Sequence, residues 1–174
     1  MALAVRWWFA VRVLVADGSR HCRCDLGRWF PPVGDTTVVH RAENAAGNFG
    51  RDLRLKALAE WKQNEPKAFV SREKSRRFGM AVPPLSAIVA ILGVLAARIP
   101  FIVAIAIVLG SILLATVFDI LTLPLELNAI MRYATKVRGE KCFPDRDDAD
   151  AVIRCALAHA WEQAMPPVLR YFLK

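Results

Sequence analysis

The 46 residues Met80–Leu125, MAVPPLSAIVAILGVLAARIPFIVAIAIVLGSILLATVFDILTLPL, carry only two formal charges, Arg98 and Asp119. As one helix at ~1.5 Å per residue the run reaches about 69 Å, more than twice the ~30 Å hydrocarbon core of a bilayer. It has to fold back. Arg98-Ile99-Pro100 is the break it offers, a charge drawn to the headgroups beside a ring that ends an incoming helix. The reading is a transmembrane helical hairpin with spans at about 81–97 and 101–123. Its two open ends then lie on one side of the membrane. The basic stretch Ser71–Arg77, SREKSRR, faces the same compartment as Arg132, Lys136 and Arg138.

Composition agrees. Of 174 residues 55% are hydrophobic and 23% charged, with a mean hydropathy of +0.31. Soluble domains of this size sit nearer 45–50% apolar. Disorder, a collagen, a coiled coil and a small disulfide scaffold are excluded, which leaves an integral membrane protein with an aqueous part. The net charge of +8 is lopsided, with 15 Lys/Arg against 8 Asp/Glu in residues 1–80 and 9 against 8 in residues 81–174. No nucleic-acid motif accompanies it, so the basic excess reads as topology. The N-terminal and C-terminal arms belong on the cytoplasmic or matrix side of a bacterial or organelle inner membrane, against anionic lipid.

Three segments follow, at 1–67, 68–138 and 139–174. Residues 1–16 are apolar with Arg6 and Arg12 and no acid. They suit a degenerate signal or anchor, an organelle-targeting segment, or an interfacial or protein-packed piece, and two arginines favour the last. Residues 17–50 read as irregular loop with a short strand at Thr36–His40, and Leu53, Ala57, Leu58 and Trp61 mark a helix over Arg51–Asn64. Residues 139–150 form a polar turn. Asp147 or Asp148 caps a helix from about Ala149 to Met165, which Pro166-Pro167 stops or kinks before an apolar end at 168–173. Its ionisable groups Arg154, His159 and Glu162 leave crossing the bilayer and packing on other helices equally open. The fold class is thus mainly α: a membrane hairpin, a C-terminal apolar helix and an irregular N-terminal segment.

Four cysteines, Cys22, Cys24, Cys142 and Cys155, lack disulfide or CxxC spacing and read as free thiols in a reducing compartment. His21, Cys22 and Cys24 do not have zinc spacing. Trp7, Trp8, Phe9, Trp29, Phe30 and Trp61 crowd the polar segment. They suit either partner contacts or a small local core, and residues 1–67 are expected to be ordered by partner subunits or the membrane surface.

Thr116, Asp119, Thr122 and Glu126 recur at three- and four-residue steps and share one face of the second span. Acids there are costly and need a partner or a polar cavity. They pair with Arg132, His159, Arg154 or the basic flank, or they hold a metal or carry a proton.

The segment Leu121–Ala129, LTLPLELNA, resembles the LTLPxExxA signature of the membrane-bound neutral zinc metallopeptidases. The resemblance covers about residues 68–174: two hydrophobic spans after a basic approach, then a charged helix end, a polar turn and a last apolar helix. It implies that Glu126 is the third zinc ligand. The family's HExxH helix, which supplies two histidines and the general base, is absent. The nearest remnant, His40-Arg41-Ala42-Glu43-Asn44, has arginine at the base and asparagine at the second histidine. Two readings separate. One is a non-catalytic relative with no cofactor, a structural or accessory subunit of a larger membrane complex. The other is a zinc metallopeptidase, or a fragment of one, with an unconventional site from His40, Glu126, Asp119 or His159. A third makes residues 1–67 foreign to a peptidase tail. The first needs the fewest replaced residues.

Overall fold

In the computed structural model, which describes residues 3–29 and 41–165, the chain is mainly helical. The elements are α1 (Leu3–Ala16), β1 (His21–Asp25), the single turn α2 (Leu26–Trp29), β2 (Arg41–Ala45), α3 (Ala46–Asn64), α4 (Pro66–Leu95), α5 (Phe101–Gly139) and α6 (Arg146–Gln163).

α4 and α5 form an antiparallel hairpin that bends where the sequence places the break. The Ala96 and Ala97 N–H groups donate to Leu92 and Val94, and those of Arg98 and Ile99 both donate to the Gly93 carbonyl (3.0 and 3.1 Å). Ala97 takes the left-handed conformation at φ 52°. Pro100 then leads the chain into α5 in extended geometry. Ring contact between Phe78 and Phe118 (5.5 Å between centroids) and the Ser86–Ser111 hydrogen bond (2.6 Å) fix the register. Pro83 and Pro84 lie inside α4, and Ser86 Oγ donates to the Pro83 carbonyl at 2.8 Å.

Both helices are long and apolar enough to cross a membrane, and only 6% and 17% of their most apolar stretches is buried. Leu85, Ile91, Leu95, Ile102, Leu109 and Leu113 all stand exposed. The core helix of a soluble protein would bury these side chains; here they form an apolar belt facing outward.

Beyond the belt a second packing unit holds the core. Helix α6 packs against α3 and against α1, and α3 packs against the C-terminal half of α5. Trp29, Phe49 and Phe143 meet edge-to-face at 5.3–5.8 Å, and Leu53, Leu123, Ile130, Val152 and Cys155 fill the space around them. Gly50 lets α3 close on α6: a Cβ there would sit 2.6 Å from Cys155 Cβ and 2.9 Å from the Ala156 nitrogen.

Several expectations change. Among the described residues the N-terminal segment is not irregular: residues 3–16 are a helix, and β1 pairs antiparallel with β2 in the register His21↔Ala45 to Asp25↔Arg41. The alternation His-Cys-Arg-Cys is a strand pattern, with Cys22 and Cys24 buried and His21 and Arg23 exposed. Helix α3 begins five residues before Arg51. Trp7, Trp29 and Trp61 are buried, so three of the aromatics serve a local core, while Trp8 and Phe9 stay about half exposed. Asp145, rather than Asp147 or Asp148, caps α6 by accepting from the Asp147 N–H. Helix α6 buries Ala151, Val152, Cys155, Ala156 and Ala160 against protein, which answers the bilayer-crossing alternative over 146–163. Thr36–His40, Phe30 and the apolar end 168–173 lie outside the described residues.

Candidate functional site

The acids of α5 converge at the junction between the apolar belt and the packed unit. Glu126 is 2% exposed, and its two oxygens go to different helices. Oε1 accepts from Arg54 of α3, at 2.7 Å from Nε and also from Nη2, and Oε2 accepts from Arg72 Nε of α4 at 2.9 Å. Arg72 Nη1 also donates to the Asp119 carbonyl (2.9 Å), Asp119 Oδ1 (3.2 Å) and Thr122 Oγ1 (2.9 Å). Two guanidinium groups thus meet two carboxylates, and the formal charges cancel. Arg54 and Arg72 are each 4% exposed. Gly79 makes room for the network, since a Cβ on it would stand 2.8 Å from Asp119 Oδ2.

Sequence reasoning found Asp119, Thr122, Glu126 and the basic flank. It named Arg132, His159 and Arg154 as further partners, and these are engaged elsewhere: Arg132 with Glu65 (2.6 Å), Arg154 with Asp17 (2.7 Å), His159 with the Gly47 carbonyl (3.2 Å) and Glu162 (3.4 Å). Thr116 donates to its own helix at the Ile112 carbonyl. Arg54 was missed. Its signal was present, because Arg54 shares a helix face with Ala57, Leu58 and Trp61, and a lone cation on an apolar stripe needs a buried anion.

The surroundings of Glu126 do not fit a zinc ion. Zinc wants about three N, S or O donors around a positive charge, and this carboxylate is saturated by two cations. Among the described residues no three His, Cys, Asp or Glu side chains are grouped to hold a metal. His40 lies outside the described residues, and Arg41–Asn44 lie on β2 rather than on the helix an HExxH site requires. What the network can do chemically is hold three helices in one register while neutralising four charges between them.

Two other features are less built. An open groove of about 1050 Å³ gathers Arg23, Arg28, Arg138, Lys141 and Arg146 with Asp25 and Asp150. Part of its charge is already used, for Arg28 donates to the Glu140 and Lys141 carbonyls and Arg138 pairs with Asp150. The four thiols are buried and held protonated. Burial first, then the Asp148 carboxylate, pushes Cys22 up to about 11; burial raises Cys155 to about 11, Cys24 to about 12, and Cys142 in the same direction. Neutral buried thiols are packing groups, not nucleophiles.

No protein-family model, no curated protein and no solved structure matches this chain.

Proposed function

We propose that this chain is a non-catalytic integral membrane protein, a degenerate relative of the neutral zinc metallopeptidases, serving as a structural or accessory subunit of a larger membrane complex. The observation that carries the reading is the double arginine clamp on Glu126. The residue that the LTLPLELNA resemblance makes a zinc ligand is consumed in joining α3, α4 and α5. In this reading the hairpin crosses the bilayer and the packed unit sits on the cytoplasmic or matrix side, as the basic arms favour. The exposed Trp8–Phe9 pair, edge-to-face at 5.3 Å, supplies the kind of aromatic surface that partner subunits cover.

The test is metal analysis with a peptide-hydrolysis assay on the full chain purified in detergent. The expected result is no stoichiometric zinc and no hydrolysis. One zinc per chain, lost together with hydrolysis in Glu126→Ala, would overturn the reading in favour of a membrane-embedded zinc peptidase.

A further inference from the structure

The groove beyond the end of α5 is assembled from three separate stretches of chain. Arg23 stands on the exposed face of β1, Arg28 on the turn α2, Arg138 and Lys141 at and just past the end of α5, and Arg146 at the first position of α6. Backbone contacts bring them together. The Asp25 N–H donates to the Cys142 carbonyl at 2.9 Å, and Arg28 Nη1 donates to the Glu140 and Lys141 carbonyls at 3.3 and 3.4 Å. The acids of the groove consume only part of its charge: Arg138 pairs with Asp150, and Arg28 Nε stands 3.6 Å from Asp25. Among the described residues that line the groove, five cations face these two carboxylates in one concavity of about 1050 Å³. Lys141 and Arg146 are exposed and pair with no carboxylate among the described residues.

The place of the groove limits what it holds. Counted from Phe101 at ~1.5 Å per residue, a ~30 Å apolar core ends at about residue 120, and Arg138 lies roughly 27 Å further along α5, well past a headgroup layer of roughly 5–8 Å. Lipid phosphates are out of reach, so the ligand comes from the aqueous side. Phe143, the aromatic ring of the lining, is buried, and no exposed ring offers a nucleobase a platform among the described lining residues. Four of the five cations are arginines, whose planar forks match carboxylates two oxygens at a time. Segments 30–40 and 166–174, outside the described residues, carry a single acid between them, Asp35, too little to balance the excess from within the chain. We propose that this groove docks an acidic peptide segment of a partner protein, the chemistry that clustered arginines in a cleft recognise. The proposal rests on the accessory-subunit reading, whose partner contact it names, and its depth argument rests on the hairpin being membrane-inserted.

The experiment titrates the full chain in mild detergent with a short fluorescein-labelled peptide of alternating glutamate and serine, and reads fluorescence anisotropy. A peptide with glutamine in place of glutamate and an oligouridine RNA of equal charge serve as controls. The expected result is saturable binding of the glutamate peptide, absent for the glutamine peptide and weakening as salt rises. Lys141→Glu/Arg146→Glu should weaken binding about tenfold, and Lys141→Gln/Arg146→Gln should weaken it less, in the same direction. Lys62→Glu/Lys67→Glu makes the same change in charge at exposed sites outside the groove, and should weaken binding by less than about twofold. Circular dichroism checks that each variant is folded. Equal losses in the two glutamate variants, or no peptide binding by a chain that holds no zinc, would overturn this proposal and leave the accessory-subunit reading standing. Tighter binding of the RNA than of the peptide would overturn it in favour of nucleic acid. One zinc per chain together with hydrolysis would overturn the accessory-subunit reading, and this proposal with it.

Discussion

Arg54 and Glu126, 72 positions apart, meet in a buried pair in which two guanidinium nitrogens of one reach the same carboxylate oxygen of the other. The second oxygen is taken by Arg72, so a single side chain of α5 ties down both α3 and α4. Ion pairs at a protein surface contribute little, but removing one partner of a buried pair leaves an uncompensated charge.

Replacing that carboxylate is therefore expected to be severe. Glu126→Gln leaves two buried guanidinium groups facing a neutral amide, and a loss of about 3–5 kcal/mol follows. Chemical denaturation of the purified protein in mild detergent, followed by circular dichroism, measures it. An effect below about 1 kcal/mol, the scale of an exposed pair, would show that the clamp is solvated.

Gly50 gives a purely steric prediction. The Ala156 backbone nitrogen cannot move aside for a new Cβ without separating α3 from α6. Gly50→Ala should cost about 1–3 kcal/mol, the usual range for overpacking. This is opposite in sign to the gain expected from replacing glycine in an open helix. Unfolding midpoints of the two proteins under identical conditions decide it.

The thiols predict the alkaline limb of stability. Burial raises Cys22 and Cys155 from 9.0 to about 11 and Cys24 to about 12. Above pH 9 the unfolded chain releases thiol protons that the folded chain keeps, so the unfolded state binds fewer protons and unfolding becomes easier as pH rises. This contribution is intact below pH 9 and is lost between pH 9 and about 11 to 12. A triple Cys→Ala variant should flatten the urea midpoint over that window. In the folded wild type at pH 8, alkylation of these thiols should be slow until denaturant is added.

The hairpin was legible because its cause is local. Forty-six residues with two charges are longer than one span needs, and Arg98 and Pro100 leave one place to turn. The partner of Glu126 was legible only in kind. A buried acid needs a cation, and the basic flank supplied Arg72, but the second cation comes from a helix whose crossing angle no periodicity reveals. The β1–β2 ladder escaped notice because Cys22 and Cys24 were weighed as thiol chemistry rather than as the apolar half of an alternating pattern. The start of α3 was obscured by Gly47 and Gly50, which mark loops by composition but here sit against Gly18 and Cys155.

The most direct test of the central claim, an apolar hairpin returning both arms to one compartment, is the sidedness of three single-cysteine variants, Lys74→Cys, Arg98→Cys and Thr135→Cys, in sealed, oriented vesicles. A membrane-impermeant maleimide applied from outside, then after permeabilisation, reads each position. The account predicts that Lys74→Cys and Thr135→Cys react together from one side and Arg98→Cys from the other. Labelling of Arg98→Cys from the same side as the other two, or of Lys74→Cys and Thr135→Cys from opposite sides, would contradict it.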